Sequence, residues 1–277
     1  MSEAVCEVCP HACRLKEGQT GFCGARSCRN GSVVSENYGW LTSMALDPIE
    51  KKPLRRFHPG SRILSVGSYG CNLRCPFCQN YEISMSRKGG CGGMYVPPEV
   101  LAQKAADLKP SGNIGLAFTY NEPLISPEYV RSCAALNRKN GLANAAVTNG
   151  YVTEKALRGL LPFLDAMNID LKSFSEDFYR KIGGGLEEVK QTIAAASRAG
   201  CHVEVTTLII PGENDSPGEM SRLSEWLAGV SPEIPLHVTR FFPRYKLTDR
   251  PPTPVETVYS LAALARKNLR YVYEGNC

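Results

Sequence analysis

From Ser61 onward, short apolar runs rich in β-branched residues alternate with stretches whose apolar positions recur at three- and four-residue steps. Runs of the first kind read as buried strands, and stretches of the second kind as helices that bury one face. Strands are expected at 63–68, 114–119, 144–148, 166–171, 203–210 and 236–242. Helices are expected between them at 98–108, 127–138, 153–161, 186–199 and 217–230, with a last one at 254–269. Ser126-Pro127, Ser216-Pro217 and Thr253-Pro254 each put a hydroxyl before a proline. Such a hydroxyl can accept a free helix N–H, and proline loses nothing at the first helical position. Strands that are each followed by a helix form βαβ units and a parallel sheet. Periodicity does not distinguish an open sheet from a partial barrel.

Polar residues gather where these strands end. Cys71-Asn72 follows the first strand, Thr119-Tyr-Asn-Glu-Pro123 the second, and Thr148-Asn149-Gly150 the third. Asp170-Leu-Lys172 follows the fourth and Pro211-Gly-Glu-Asn-Asp215 the fifth, while His237, Arg240 and Arg244 flank the sixth. Ligands of parallel α/β folds bind beyond the carboxyl ends of strands. Ordinary turn chemistry explains any one of these loops equally well. Six together argue for a site. His202 opens the fifth strand at the opposite end and reads as structural. His58 lies in the turn His58-Pro59-Gly60 and carries no signal.

The sharpest chemical feature is Cys71, Cys75 and Cys78, spaced C-x3-C-x2-C directly after the first strand. A cubane iron–sulfur cluster takes one thiolate per iron. Three ligands on one loop would leave one iron open to a substrate or cofactor. A second set, Cys6, Cys9, Cys13 and Cys23, follows C-x2-C-x3-C-x9-C, with His11 and Cys28 as spare candidates. Four thiolates suit tetrahedral zinc or a second iron–sulfur cluster, and the spacing does not choose between them. Cys133 and Cys201 read as small core residues. Cys91 falls in the Gly-rich loop 87–93, which is expected to be mobile, and Cys277 has no clear role.

The chain has 277 residues, 43% of them hydrophobic, and a net charge of +5 from 32 basic and 27 acidic residues. This length holds one large core. We divide it into a Cys-rich metal-binding knuckle at 1–30, a connector with short strand candidates at 31–60, and one α/β unit at 61–277. No apolar run approaches a membrane span, and residues 1–10 show no signal-peptide core. A cytoplasmic location is therefore expected, where clustered cysteines more often bind metal than form disulfides.

The cysteine loop, with Phe77 before its last cysteine, resembles the cluster motif of the radical S-adenosylmethionine (SAM) superfamily, and the resemblance runs from about residue 60 onward. Within that superfamily the chain is similar to the pyruvate formate-lyase-activating-enzyme homologues. Its N-terminal cysteines and the runs Ala45-Leu-Asp-Pro-Ile-Glu-Lys-Lys-Pro53, Tyr120-Asn-Glu-Pro123 and Leu236-His-Val-Thr-Arg-Phe-Phe-Pro243 resemble the AmmeMemoRadiSam subfamily.

The resemblance implies a (β/α)6 partial TIM barrel holding a [4Fe–4S] cluster on Cys71, Cys75 and Cys78. SAM would chelate the open iron, and reductive cleavage would give methionine and a 5′-deoxyadenosyl radical for hydrogen abstraction. It implies adenine packing near Phe77. It aligns Tyr120-Asn121-Glu122-Pro123 with a Gly-Gly-Glu-Pro segment that holds the SAM amino group, with Tyr120 and Asn121 in place of the glycines. Thr148 and Asn149 would contact the methionine or ribose part. Lys172 would pair with the SAM carboxylate, or with Asp170 alone. Thr206 and Leu208 would lie beside the adenine, and His237 and Arg240 near SAM or substrate.

The implied partners are an electron donor such as flavodoxin or ferredoxin and a protein or small-molecule substrate, with glycyl-radical-enzyme activation as one option. Two other classes compete. One is an iron–sulfur or zinc module for electron transfer or binding, without SAM cleavage. The other is an RNA-modifying radical SAM enzyme, although no stripe of basic and aromatic residues points to nucleic acid.

Overall fold

The computed structural model describes residues 3–277. Its main sheet contains eight strands: β1 (Ser43–Pro48), β2 (Arg62–Gly67), β3 (Asn113–Phe118), β4 (Ala143–Thr148), β5 (Ala166–Asp170), β6 (His202–Ile209), β7 (Leu236–Arg240) and β8 (Val272–Gly275). They lie in sequence order across the sheet. β1 runs antiparallel to β2, and every other neighbouring pair is parallel. An order with no reversal means that right-handed crossovers all step the same way, so the helices share one face. The other face curls into the interior of a partial barrel whose edge strands, β1 and β8, do not pair with each other.

The six expected strands and six expected helices are all present. The helices are α1 (Pro98–Asp107), α2 (Pro127–Lys139), α3 (Glu154–Leu160), α4 (Leu186–Arg198), α5 (Pro217–Val230) and α6 (Val255–Ala265). Val189, Ile193 and Ala196 on α4, and Met220, Leu223 and Leu227 on α5, are buried at helical spacing against the sheet. Each such Val, Ile or Leu contributes roughly 1.5–3 kcal/mol by leaving water.

Two of the three expected caps are corrected. Ser216 accepts from Glu219 N as expected. Ser126 makes no capping bond and instead meets Ser35 Oγ at 2.7 Å. Thr253 donates to Ile209 O and accepts from Phe241 N, joining the ends of β6 and β7.

The stretch 31–60 does more than connect. It supplies β1, and residues after it plug the amino-terminal end of the barrel. Ala117, Ala145 and Ala166 stand in register on neighbouring strands. Their small side chains leave room for Ile49 and Leu54, which pack fully buried against them. Pro53 O accepts from Asn168 Nδ2 at 2.8 Å. Glu204, 0% exposed, accepts from Arg55 N and Arg56 N at 3.0 and 2.7 Å.

The N-terminal segment packs at the other end. Its hairpins pair Ala4–Val5 with Arg14–Leu15, and Arg26–Arg29 with Ser32–Ser35. Val8 O accepts from Thr153 N, Ile125 O accepts from Arg26 Nη1, and Cys23 O accepts from Cys71 N. Each contact falls on a loop that leaves the carboxyl end of a strand. Among the described residues, no helix is long and apolar enough to cross a membrane.

Candidate metal and cofactor site

The loop that leaves β2 carries Cys71, Cys75 and Cys78, all unpaired as disulfides. Gly70 (φ +89°) sets its course, because a Cβ there would sit 2.7 Å from Cys23 O. Arg74 Nη1 donates to Cys71 O at 2.7 Å and Cys78 N to Cys75 O at 3.3 Å, closing the loop on itself. Burial pushes the Cys71 thiol well above its usual range, and Glu122, Cys75 and Cys78 push it further. Burial likewise drives Cys75 up to about 12, although Lys172 pulls the other way.

Among the described residues, no three Cys, His, Asp or Glu side chains converge tightly enough for one metal ion. The loop's chemistry fits a polynuclear cluster instead. Soft sulfur donors suit iron–sulfur chemistry, and each thiolate there takes its own iron. The thiols raise one another's cost of ionising, and iron would relieve that cost.

The loop after β3 is locked beside it. Asn121 Oδ1 accepts from Ser68 N at 2.9 Å, and its Nδ2 donates to Tyr69 O and Gly70 O. Its side chain therefore joins two loops and is occupied by backbone. Glu122, 4% exposed, accepts from Thr148 Oγ1 and Asn149 N at 2.7 Å each and from Leu124 N at 2.9 Å. Burial pushes its carboxyl up to about 7 against the pull of these donors. Asn149 Nδ2 reaches Asn72 Oδ1 at 2.9 Å and Cys71 Sγ at 3.6 Å. Thr148, Asn149 and Glu122 thus form one buried unit against Cys71.

Lys172 pairs with Asp170 at 2.6 Å. Burial would lower its pKa, but Asp170 and Cys75 outweigh burial and keep it a cation. Phe77 is buried 6.1 Å from the Phe178 ring. Thr206 donates to Asn168 Oδ1 inside the barrel, and Leu208 lies two residues further toward the carboxyl end of β6.

Two expected residues do not join this group. His237 is corrected to the barrel floor, where its Nε2 lies 2.6 Å from Glu204 Oε2, with His202 on the other carboxylate oxygen at 3.0 Å. It is the second residue of β7, and its side chain turns toward the plug. Arg240 does sit at the carboxyl end of β7. Its Nε donates to Thr253 O at 2.6 Å, and its guanidinium covers the Phe242 ring.

Sequence reasoning missed Tyr120 as a structural device. It holds φ +72°, and its Cβ comes 2.8 Å from where a Cβ on Gly67 would stand. Its hydroxyl donates to Asp47 Oδ2 at 2.8 Å, beside the buried Lys52–Asp47 pair. Asn72 was visible only as a neighbour of Cys71, yet it bridges Asn149, Tyr151 O and His11.

The Radical SAM superfamily model matches residues 65–223. The chain is 40% identical over 274 residues to the uncharacterized protein MJ0808 of Methanocaldococcus jannaschii, covering 98% of this chain and 80% of that one. It is 28% identical over 178 residues to the pyruvate formate-lyase-activating enzyme of Clostridium pasteurianum, covering 62% of this chain and 71% of that one. Among solved structures it is similar to Streptococcus suis SuiB bound to S-adenosylmethionine, with a TM-score of 0.59 and 12% identity, covering 78% of this chain and 52% of that one. Methylornithine synthase (PylB) gives a TM-score of 0.55 at 15% identity, covering 78% of this chain and 66% of that one. The chain spans about half the length of SuiB.

Proposed function

Since the chain belongs to the radical SAM superfamily, whose members use a [4Fe–4S] cluster and SAM, we propose that it cleaves SAM reductively at the Cys71, Cys75 and Cys78 loop and uses the resulting radical to abstract hydrogen from a protein segment. The observation that carries this reading is the trio of unpaired thiols on one loop, set against the buried Glu122–Thr148–Asn149 unit at the carboxyl ends of the strands. When bound, the cluster supplies an electron to the sulfonium, and that chemistry belongs to the cofactor.

The chain supplies placement. Lys172 offers an ammonium to the SAM carboxylate, and Asp170 holds that ammonium in position. Glu122 organises the β3 and β4 loops; three donors already occupy its carboxylate, so it acts mainly as a positioning residue. Asn121 fixes the strand-end backbone whose carbonyls can receive an amino group. Phe77 and Leu208 form walls for the adenosyl part, Thr206 is tied through Asn168 to the plug below them, and Arg240 lies at the rim where substrate would enter.

A protein substrate is favoured by the likeness to the pyruvate formate-lyase-activating enzyme. A small-molecule substrate is the second reading, supported by the 28% identity to a GTP 3′,8-cyclase of Lactiplantibacillus plantarum. Candidate substrates carrying deuterium separate the two. A protein substrate predicts deuterium in 5′-deoxyadenosine only when a labelled protein is supplied, and transfer from labelled small molecules alone would overturn it.

A further inference from the structure

The four N-terminal cysteines lie against the catalytic loop and are not a detached knuckle. Cys71 N donates to Cys23 O at 3.1 Å, so a ligand of one cysteine set is hydrogen-bonded to the backbone of the other. The carbonyl of Asn72, the next residue, meets His11 Nε2 at 2.8 Å. Cys6, Cys9 and Cys23 are all buried. Cys6 N donates to Cys13 O at 2.9 Å, and Phe22 N approaches Cys13 Sγ at 3.5 Å. Of the spare candidates, Cys28 turns to Glu17 and His11 to Asn72.

Arg26 is an independent pointer to what this group holds. Its side chain is 6% exposed and clamped by Glu128 in a two-pronged pair at 2.9 and 2.7 Å. Among the described residues its buried Nε has no hydrogen-bond partner, and its guanidinium lies near Cys6. A buried charged donor without an acceptor is costly. A metal-bound thiolate on Cys6 would supply the acceptor, and donors to cluster sulfurs are a known lever on redox potential.

No three of these side chains converge for a single ion among the described residues. Tetrahedral zinc needs its sulfurs about 3.8 Å apart, given Zn–S bonds of about 2.3 Å. A cluster that gives each thiolate its own iron does not need its sulfurs that close.

We propose that Cys6, Cys9, Cys13 and Cys23 hold a second iron–sulfur cluster that delivers electrons to the catalytic one through the Cys23–Cys71 contact. One electron leaves the reduced N-terminal cluster and enters the catalytic cluster. The first is oxidised by one unit and the second reduced by one. A one-electron donor protein of the flavodoxin or ferredoxin class then restores the first. The relay rests on the proposed SAM cleavage; the presence of the second cluster does not.

Iron, sulfide and zinc analysis of the anaerobically reconstituted full chain tests the site. Wild type should hold about eight irons, and a variant with Cys71, Cys75 and Cys78 all changed to Ser should keep about four. One zinc, or no metal, in that variant overturns the proposal whether or not SAM is cleaved. A Cys6→Ser/Cys9→Ser variant should slow cleavage driven by a flavodoxin-type donor at least about tenfold, while dithionite-driven cleavage stays within about twofold. Equal slowing with both reductants overturns the relay. A readout that needs no variant is electron paramagnetic resonance of the reduced wild type. It should show two magnetically interacting clusters, and a single isolated signal contradicts the proposal.

Discussion

The two ends of the barrel both bury charged and polar side chains, but they treat them in opposite ways. At the floor, Glu204 meets His202, His237 and two backbone N–H groups, while Lys52 meets Asp47 and the Tyr120 hydroxyl. At the carboxyl-end face, burial raises the cost of ionising Cys71 and Cys75, with the Lys172 ammonium beside them. The floor is a closed network and needs nothing from outside. The upper face gathers sulfur donors whose ionisation only a cation would favour. The same parallel scaffold thus closes its polar groups on one another at one end and gathers sulfur donors at the other.

The largest expected effect breaks the upper end alone. Cys75→Ser should abolish assembly of the cluster on the β2 loop and SAM cleavage, keep only the irons of the N-terminal cysteines, and leave the floor and its stability contribution intact. Iron content and the thermal melt, measured together, check this. A variant that keeps the full iron content of the wild type would erase the distinction between the two ends.

Glu204→Gln attacks the floor. An amide in place of this carboxylate leaves at least one of its buried donors unpaired, at a cost of about 1–3 kcal/mol. A denaturant titration should show that loss, with iron content unchanged in the folded fraction. The pH dependence sharpens the point. Burial raises the Glu204 pKa, but the histidines and the Arg56 N–H overcome burial and hold it at about 2. Its contribution is therefore present above the unfolded carboxyl pKa of about 4.5, and is lost as pH falls from there toward 2. Glu204→Gln should flatten that part of the stability–pH curve, and an unchanged acid slope would remove Glu204 from the account.

Lys172→Met should weaken SAM binding at least about tenfold, since a hydrogen bond to a charged group contributes about 1.5–3 kcal/mol. Calorimetry on the reconstituted protein measures this, and unaltered affinity would assign Lys172 to Asp170 alone. Tyr120→Phe should cost about 1 kcal/mol of stability through the lost bond to Asp47. Thermal unfolding should register it without a change in SAM affinity.

How far the sequence foretells each end follows from how local its signals are. The cysteine spacing is local, so the cluster loop could be read directly. The six-strand alternation is local as well, and it held from β2 to β7. β1 and β8 gain their order from edge pairing, and Val272–Gly275 is too short to show a period. The plug escaped because its partners, Asn168 and Glu204, are more than a hundred residues away. His237 was misassigned because closeness to a strand does not say which end a side chain serves. Tyr120 adopts a backbone conformation that costs a non-glycine residue roughly 1–2 kcal/mol, and only the distant Asp47 and Lys52 explain why it is held there.

The most direct test of the account is an assay for 5′-deoxyadenosine in anaerobically reconstituted protein given SAM and dithionite. The account predicts 5′-deoxyadenosine and methionine in equal amounts, both absent from the Cys75→Ser variant. A protein that assembles its full iron–sulfur content and releases neither product under several reductants would contradict it.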